Sequence, residues 1–301
     1  MDIRRIKARI PEGFQVRSSG KKICIFREFR EKAILALAEE GEIARRTVDR
    51  LRGRGRPSVI ESDGEKLVVR HYYHGGIFRK LTGDFFFRAG RFLNELALLE
   101  SARRGGTAVP RAAGLLIEPA FPFLCRADLV TVYLPESLDL LSCYQKTFAG
   151  DRVLPPEKIP AIIAAAGRQT ALLHRAGILH GDLQVKNILV RPDCRPPEVM
   201  IIDLDRGRRG RAGREQNLRR LYRSFLKLRL SLPAVSRYDP IRFLRAYAPQ
   251  DRDFRRRMMA GVQRRRWLTF ARLLKWKLSF CLRGGYYARS MEGEKRGAVG
   301  N

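Results

Sequence analysis

The sequence predicts an α+β fold in two lobes, with a small β-rich N-terminal lobe carrying one helix and a larger helical C-terminal lobe. Three observations lead there. β-branched and alternating stretches separated by turn residues concentrate before residue 136. Apolar residues at three- and four-residue steps dominate after it. Two short apolar strands, each joined to an acidic turn, interrupt that helical half.

In chain order, Lys22–Phe26 reads as a strand and Arg30–Asp49 as a helical stretch. Gly53-Arg-Gly55-Arg-Pro57 reads as a loop. Ser58–Ser62 and Lys66–Tyr73 flank Asp63-Gly64, which is a hairpin signal. A helix is expected over Arg88–Arg104, with Phe92, Leu96 and Leu99 on one face, ending before Val109-Pro110. Strands are expected at Ala113–Ile117 and Leu124–Leu134, then a hinge near Leu134–Ser137. Ile159–Arg175 carries Ile162, Ala166, Thr170 and Leu173 at helical spacing. Gln216–Ser231 carries Leu218, Leu221, Phe225 and Leu228 in the same way. The lobes therefore divide as 1–136 and 137–289, with a small polar tail, 290–301, expected to be disordered.

The chemistry is written in two pieces. Residues 180–190 read His-Gly-Asp-Leu-Gln-Val-Lys-Asn-Ile-Leu-Val, and 201–205 read Ile-Ile-Asp-Leu-Asp. An Asp followed by an Asn at the fifth position and an apolar strand, then a second Asp after another strand, is the arrangement of a kinase phosphoryl-transfer site. Asp182 can accept the proton of an attacking hydroxyl. Asn187 and Asp203 offer hard oxygens to Mg2+, and Lys186 can offset charge on the moving phosphate of ATP. A lone Asp or Asn between strands is more often turn chemistry; both pieces in order, with a short hairpin between them, outweigh that reading. Arg70 is the candidate phosphate-binding cation of the nucleotide strand, with Lys66 as a rival on the same face. Glu95 is its candidate partner, with Glu100 as a rival. Asp205 is left between a second Mg2+ and a salt bridge to Arg206. His180 is expected to hydrogen-bond the loop backbone, and His174 to pack at a helix end.

Composition bounds the partners. Lys and Arg number 61 against 31 Asp and Glu, a net charge of +30. Such a field favours polyanions, whether membrane, phosphorylated substrate or nucleic acid. The five cysteines are scattered with no Cys-x-x-Cys, which argues against a zinc site or disulfide framework and fits a reducing cytosol. No run is long enough to span a bilayer, and the N-terminus lacks an apolar signal region.

Several stretches resemble the lipopolysaccharide kinase family, and within it the 3-deoxy-D-manno-octulosonic acid (Kdo) kinases. They are Gly53-Arg-Gly55, Leu67 to Gly76, Thr107-Ala-Val109-Pro110, Asp203-Leu204-Asp205-Arg206 and Gln216 to Ser224. The resemblance runs from about Gly53 to Leu230. It implies transfer of the ATP γ-phosphate to a sugar hydroxyl of a lipid A–core acceptor (lipid A–Kdo) at the cytoplasmic face of the inner membrane. Gly53 and Gly55 would form the nucleotide-covering turn. The loop centre Leu183-Gln184-Val185 differs from the Asn-Ala-His form of Kdo kinases, which keeps a core heptose open as acceptor. Arg70 stands where a Lys is usual. Gly181 replaces the common loop Arg, and no Ala-Pro-Glu follows Asp203, which favours a small or lipid-linked acceptor over a protein.

Two further readings stay open: a small atypical protein kinase, and a nucleic-acid binder on a kinase-like fold. The three intact site residues and the lack of a recognition motif count against the second, so no nucleic-acid partner is expected. Gln263–Arg283 places Trp267, Phe270, Leu274 and Leu278 at helical steps among Arg and Lys. It reads as an interfacial helix for an anionic membrane, or else as the last core helix.

Overall fold

The computed structural model describes residues 3–39, 42–51, 57–62, 64–74, 83–121, 123–151, 154–232 and 235–264. The strands are β1 (Phe14–Ser19), β2 (Lys22–Arg27), β3 (Thr47–Arg50), β4 (Ser58–Ser62), β5 (Glu65–His71), β6 (Phe86–Phe87), β7 (Ala112–Phe121), β8 (Leu124–Val132), β9 (Leu138–Asp139), β10 (Ile178–Leu179), β11 (Ile188–Arg191), β12 (Glu198–Ile201) and β13 (Arg208–Arg209). The helices are α1 (Ile3–Lys7), α2 (Glu31–Ala38), α3 (Glu42–Arg45), α4 (Gly90–Arg104), α5 (Leu140–Phe148), α6 (Ile159–Arg175), α7 (Arg214–Ser231), α8 (Asp239–Tyr247) and α9 (Arg252–Arg264). The architecture is α+β and kinase-like: an antiparallel sheet lobe followed by a helical lobe.

The sheet runs β1-β2-β7-β8-β5-β4-β3, with β6 attached to β8. Both faces are covered, and the strands show why. On β2, Cys24 and Phe26 join Ile34 and Leu37 of α2, while Ile23 and Ile25 join the core that α4 builds on the other face. On β5, Leu67 and Val69 go to the α2 side. Val68 and Arg70 therefore face the opposite way, into the cleft between the lobes. Gly64, at φ +72°, turns β4 into β5.

The expected helix over Arg30–Asp49 is corrected. α2 stops at Ala38, α3 is a single turn, and Thr47–Arg50 pairs with β4 as an edge strand. Glu39 is already extended, and Thr47-Val48 favours strand. β1 has no predicted counterpart; its six residues, Phe14 to Ser19, hold only two apolar side chains. It pairs with β2 through all six residues.

The core of α4 continues into the second lobe. Leu98 and Leu99 share it with Leu173, Ile178, Ile201 and Leu204, so β12 and the turn after it are anchored to the helix that carries Glu95. A second core gathers α5, α6, α7, α8 and α9 around Tyr144, Ile162, Phe225 and Phe243. α6 has the predicted bounds, and Ile162, Ala166, Thr170 and Leu173 are all buried. A Cβ at Gly167 would stand 2.5 Å from the Phe243 carbonyl, so the close crossing of α6 and α8 requires glycine there. The buried Tyr144 hydroxyl donates to Asp239, 2.7 Å away. Cys24, Cys125 and Cys143 are buried free thiols, and burial pushes that of Cys143 up to about 12. Among the described residues no helix is long and apolar enough to cross a membrane. The tail 290–301, most of Gln263–Arg283, Cys281, and Gly53 and Gly55 lie outside the described residues.

His174 sits at the end of α6 as expected and is 9% exposed. Its ring nitrogens face the Tyr247 hydroxyl at 2.8 Å and Asn217 Oδ1 at 3.3 Å. Burial drives its pKa down to about 4, aided by the positive charge of Arg214. A depressed folded pKa means stability that is complete above the unfolded value of about 6.5 and lost as pH falls toward 4. Urea titrations between pH 7.5 and 4.5 should therefore show a loss of about 2–3 kcal/mol assignable to this group. The His174→Gln variant should lose correspondingly less on acidification, and an equal loss would remove the assignment.

Candidate active site

β5, α4 and the two loops flanking the β11–β12 hairpin meet at one cleft of about 350 Å³. One wall is apolar, with Val68, Leu129, Leu189, Met200 and Ile202, and it ends at hinge residues Tyr133, Leu134 and Ser137. The other end is polar, with Arg70, Glu95, Lys186 and Asp203. An apolar slot leading to paired cations and carboxylates suits a flat heterocycle carrying phosphates.

The predicted partners Arg70 and Glu95 are brought together, and a third group, Asp203, joins them across 133 residues of chain. Arg70 Nη2 donates to both oxygens of Glu95, at 2.6 and 2.7 Å. Arg70 Nη1 donates to Asp203 Oδ1 at 3.2 Å. Glu95 is 1% exposed. Burial raises its carboxyl pKa, while Arg70 and the Tyr72 hydroxyl pull the other way. Arg70 is held firmly as a cation: burial opposes its charge, and Glu95, then Tyr72 and Asp203, outweigh that. The two rivals are settled against. Glu100 is bonded by Arg27 at 2.5 Å, and Lys66 is exposed and outside the cleft lining.

Asp182 follows Gly181, whose φ is +73°. A Cβ at Gly181 would lie 2.1 Å from the Arg206 carbonyl. The loop and the segment after Asp203 thus press together where the usual Arg has no room. Asp182 Oδ1 accepts from Arg220 Nη1 at 2.6 Å and from Gln184 Nε2 at 2.5 Å. Burial raises its pKa, but these hydrogen bonds and the charges of Arg220 and Lys186 prevail, and the carboxyl titrates below its ordinary value. Replacing Arg220 should lift that value. In Arg220→Met the acid limb of the kcat/KM profile is expected to move to higher pH, and an unmoved limb would detach Asp182 from it.

Asn187 Nδ2 donates to the Asp182 carbonyl at 2.8 Å, which commits its nitrogen to the loop and leaves the amide oxygen for the hard-ligand role. Asp203 sits in left-handed backbone, φ 65° and ψ 60°, right after β12. Arg70 engages only its Oδ1. These two oxygen donors fit a divalent ion that takes its remaining ligands from phosphates and water. His180 is fully buried. Its Nε2 lies 2.9 Å from the Ile202 carbonyl, and Nδ1 accepts from the Asp182 amide at 3.3 Å. Burial lowers its pKa, so the ring is neutral and Nε2 carries the proton. That is the structural role expected for it.

Asp205 is corrected. It pairs not with Arg206 but with Arg91, whose Nε and Nη2 donate to its two oxygens. Sequence reasoning also missed Tyr72, whose hydroxyl donates to Glu95 at 2.6 Å, and Asn217, which accepts from the His180 amide at 2.7 Å. Tyr72 shares the parity of Val68 and Arg70, and Arg91 lies one helical turn before Glu95. Both signals were readable. Arg220 and Asn217 lie on α7, and nothing local tied that helix to the loop.

The sequence matches the model of the Lipopolysaccharide kinase (Kdo/WaaP) family over residues 42–247, more than half of the chain. The chain belongs to the lipopolysaccharide kinase family. Within that family it is similar to the 3-deoxy-D-manno-octulosonic acid kinase of Vibrio parahaemolyticus serotype O3:K6, 34% identical over 182 residues, 58% of this chain and 71% of that one. It is also similar to the enzyme of the same name from Vibrio vulnificus strain YJ016, 31% identical over 219 residues, 69% of this chain and 86% of that one. A solved structure described as WaaP in complex with acyl carrier protein aligns at 23% identity with a TM-score of 0.49, covering 83% of this chain and 90% of that chain. By its family model, the chain is a lipopolysaccharide kinase-family phosphotransferase with a two-lobed kinase-like fold.

Proposed function

We propose that this lipopolysaccharide kinase transfers the γ-phosphate of ATP to a hydroxyl of a Kdo sugar on a lipid A–inner core acceptor, working at the cytoplasmic face of the inner membrane. The observation that carries the reading is Arg70, which joins the buried Glu95 of α4 to Asp203 across the cleft. The named relatives support Kdo as the acceptor over a core heptose. The reading divides the chain into lobes at 136/137, with the nucleotide between them.

In this reading the apolar wall takes the base of ATP, and Arg70 binds its phosphates, fixed by Glu95 and Tyr72. Gly53 and Gly55 are kept as the covering turn. Asn187 and Asp203 would hold Mg2+, which would neutralise phosphate charge. Asp182 is ionised at neutral pH. It orients the acceptor hydroxyl and takes its proton. A low pKa suits late proton transfer in a loose transition state, where positioning and charge stabilisation dominate. Lys186 lies close enough to Asp182 to act on it electrostatically and lines the phosphate end of the cleft.

The test is mass spectrometry of lipid A–core from cells with and without the gene. One added phosphate on Kdo is the expected difference. A phosphate on heptose would move the acceptor, and no difference would remove the reading. A thermal shift with ATP–Mg2+ and none with RNA is expected of the purified chain.

A further inference from the structure

The sheet carries a hydrophobic feature that the catalytic cleft does not use. Phe87, Phe121 and Phe123 are 73%, 64% and 59% exposed. Phe87 and Phe123 stack at 6.1 Å, and Phe85 meets Phe121 at 6.3 Å, two ring pairs side by side at the β6 and β7–β8 turn that together make a knob. The knob is held rigidly. β6 pairs with β8 through Phe86–Cys125 and Phe87–Leu124, and the Arg88 amide donates to the Phe123 carbonyl at 3.0 Å. Phe86 alone points inward, stacked on His74 and edge-on to Phe92. Alternation along β6 thus sends Phe87 outward, and half-buried Phe85 lies just before the strand.

Its position and charge bear on its partner. β8 runs from this turn to the hinge, so the knob stands at the far end of the sheet, where α4 begins. Four residues after Phe87, Arg91 holds Asp205 beside the candidate metal carboxylate. Arg126 lies over Phe85 at 4.2 Å, and Arg88 is exposed. The nearby Asp84 is bonded by His71 and Arg126, at 2.9 Å each, so its charge is met locally. A contiguous exposed aromatic cluster marks an interaction surface. Aromatic rings flanked by arginines match the headgroup layer of an anionic bilayer. The net charge of +30 favours that surface and makes a second copy repel.

We propose that the knob of Phe85, Phe87, Phe121 and Phe123 is a membrane-docking surface that inserts into the headgroup layer of an anionic bilayer. This rests on the reading of a lipid-linked acceptor. It places the β6 and β7–β8 end of the sheet against the lipid, with the mouth of the site beside it.

The test uses the full chain with Phe123→Trp on a background of Trp267→Phe and Trp276→Phe, so that one Trp reports the knob. With phosphatidylglycerol–phosphatidylethanolamine vesicles containing brominated lipid, quenching and a blue shift are expected, weaker with phosphatidylcholine and at high salt. Absence of quenching overturns the proposal. In the native background, Phe87→Ser with Phe123→Ser should weaken flotation with anionic vesicles about tenfold or more. Its thermal midpoint and its turnover on a deacylated acceptor in solution should stay unchanged. Undiminished flotation overturns the proposal, as does a wild-type dimer that these changes dissociate. Vesicle binding through the knob without phosphorylation of a Kdo acceptor would instead fail the proposed function and leave the docking surface standing.

Discussion

Asp182→Asn is expected to lower turnover on the lipid-linked acceptor by on the order of 10²–10⁴ while leaving ATP affinity nearly unchanged. The structure makes this a demanding expectation. Asp182 contacts Arg220 and Gln184 and neither Arg70 nor Asp203. The Asp182 backbone, not its side chain, holds Asn187. An Asn keeps the size and can still accept from Arg220, so the phosphate end of the cleft is undisturbed. What is lost is a carboxylate able to take a proton. Single-turnover rates with ATP in excess, together with ATP titration calorimetry, separate the two effects. A wild-type rate would sink the base assignment. A large loss of ATP affinity would move Asp182 to the nucleotide side.

Arg70→Ala and Glu95→Ala are each expected to destabilise the fold by about 3–5 kcal/mol and to raise the KM for ATP. Arg70 is 25% exposed, so its own share lies at the low end of that range. The larger effect follows from burial. Without Arg70, Glu95 at 1% exposure is left with only the Tyr72 hydroxyl. Without Glu95, Arg70 keeps the longer contact to the partly exposed Asp203 and its place over the Tyr72 ring. The double variant should be less damaged than the sum of the two, by about 1–3 kcal/mol in urea unfolding. Additive effects would say that the pair does no work together. Glu95→Gln should recover stability in part, because the amide oxygen still accepts, while the phosphate-positioning charge pair stays broken.

Local patterning carries much of the fold. The α6 bounds, the β4–β5 hairpin and the buried stripe Phe92, Leu96 and Leu99 follow from periodicity, which sets which residues share a face. The Asp182–Asn187 loop and Asp203 follow from spacing on one short stretch of chain. Parity along β5 also put Arg70 on the cleft face. Where local signals were weak or in conflict, the reading failed. The stretch after Ala38 looked helical until β4 supplied an edge to pair with, and the short β1 needed β2 beside it.

The sequence alone determined the two-lobed plan, the identity of the acidic and amide groups, and the overwhelming positive charge. Composition and periodicity are properties of the chain itself and need no partner to be read. Only the tertiary structure decided who pairs with whom. It chose Glu95 over Glu100, gave Glu100 to Arg27, turned Asp205 from Arg206 to Arg91, and brought Arg220 onto Asp182. With 61 cations available to 31 acids, sequence spacing leaves many pairings equivalent. Burial breaks that equivalence, because a carboxylate removed from water must be met by the particular guanidinium that packing carries to it.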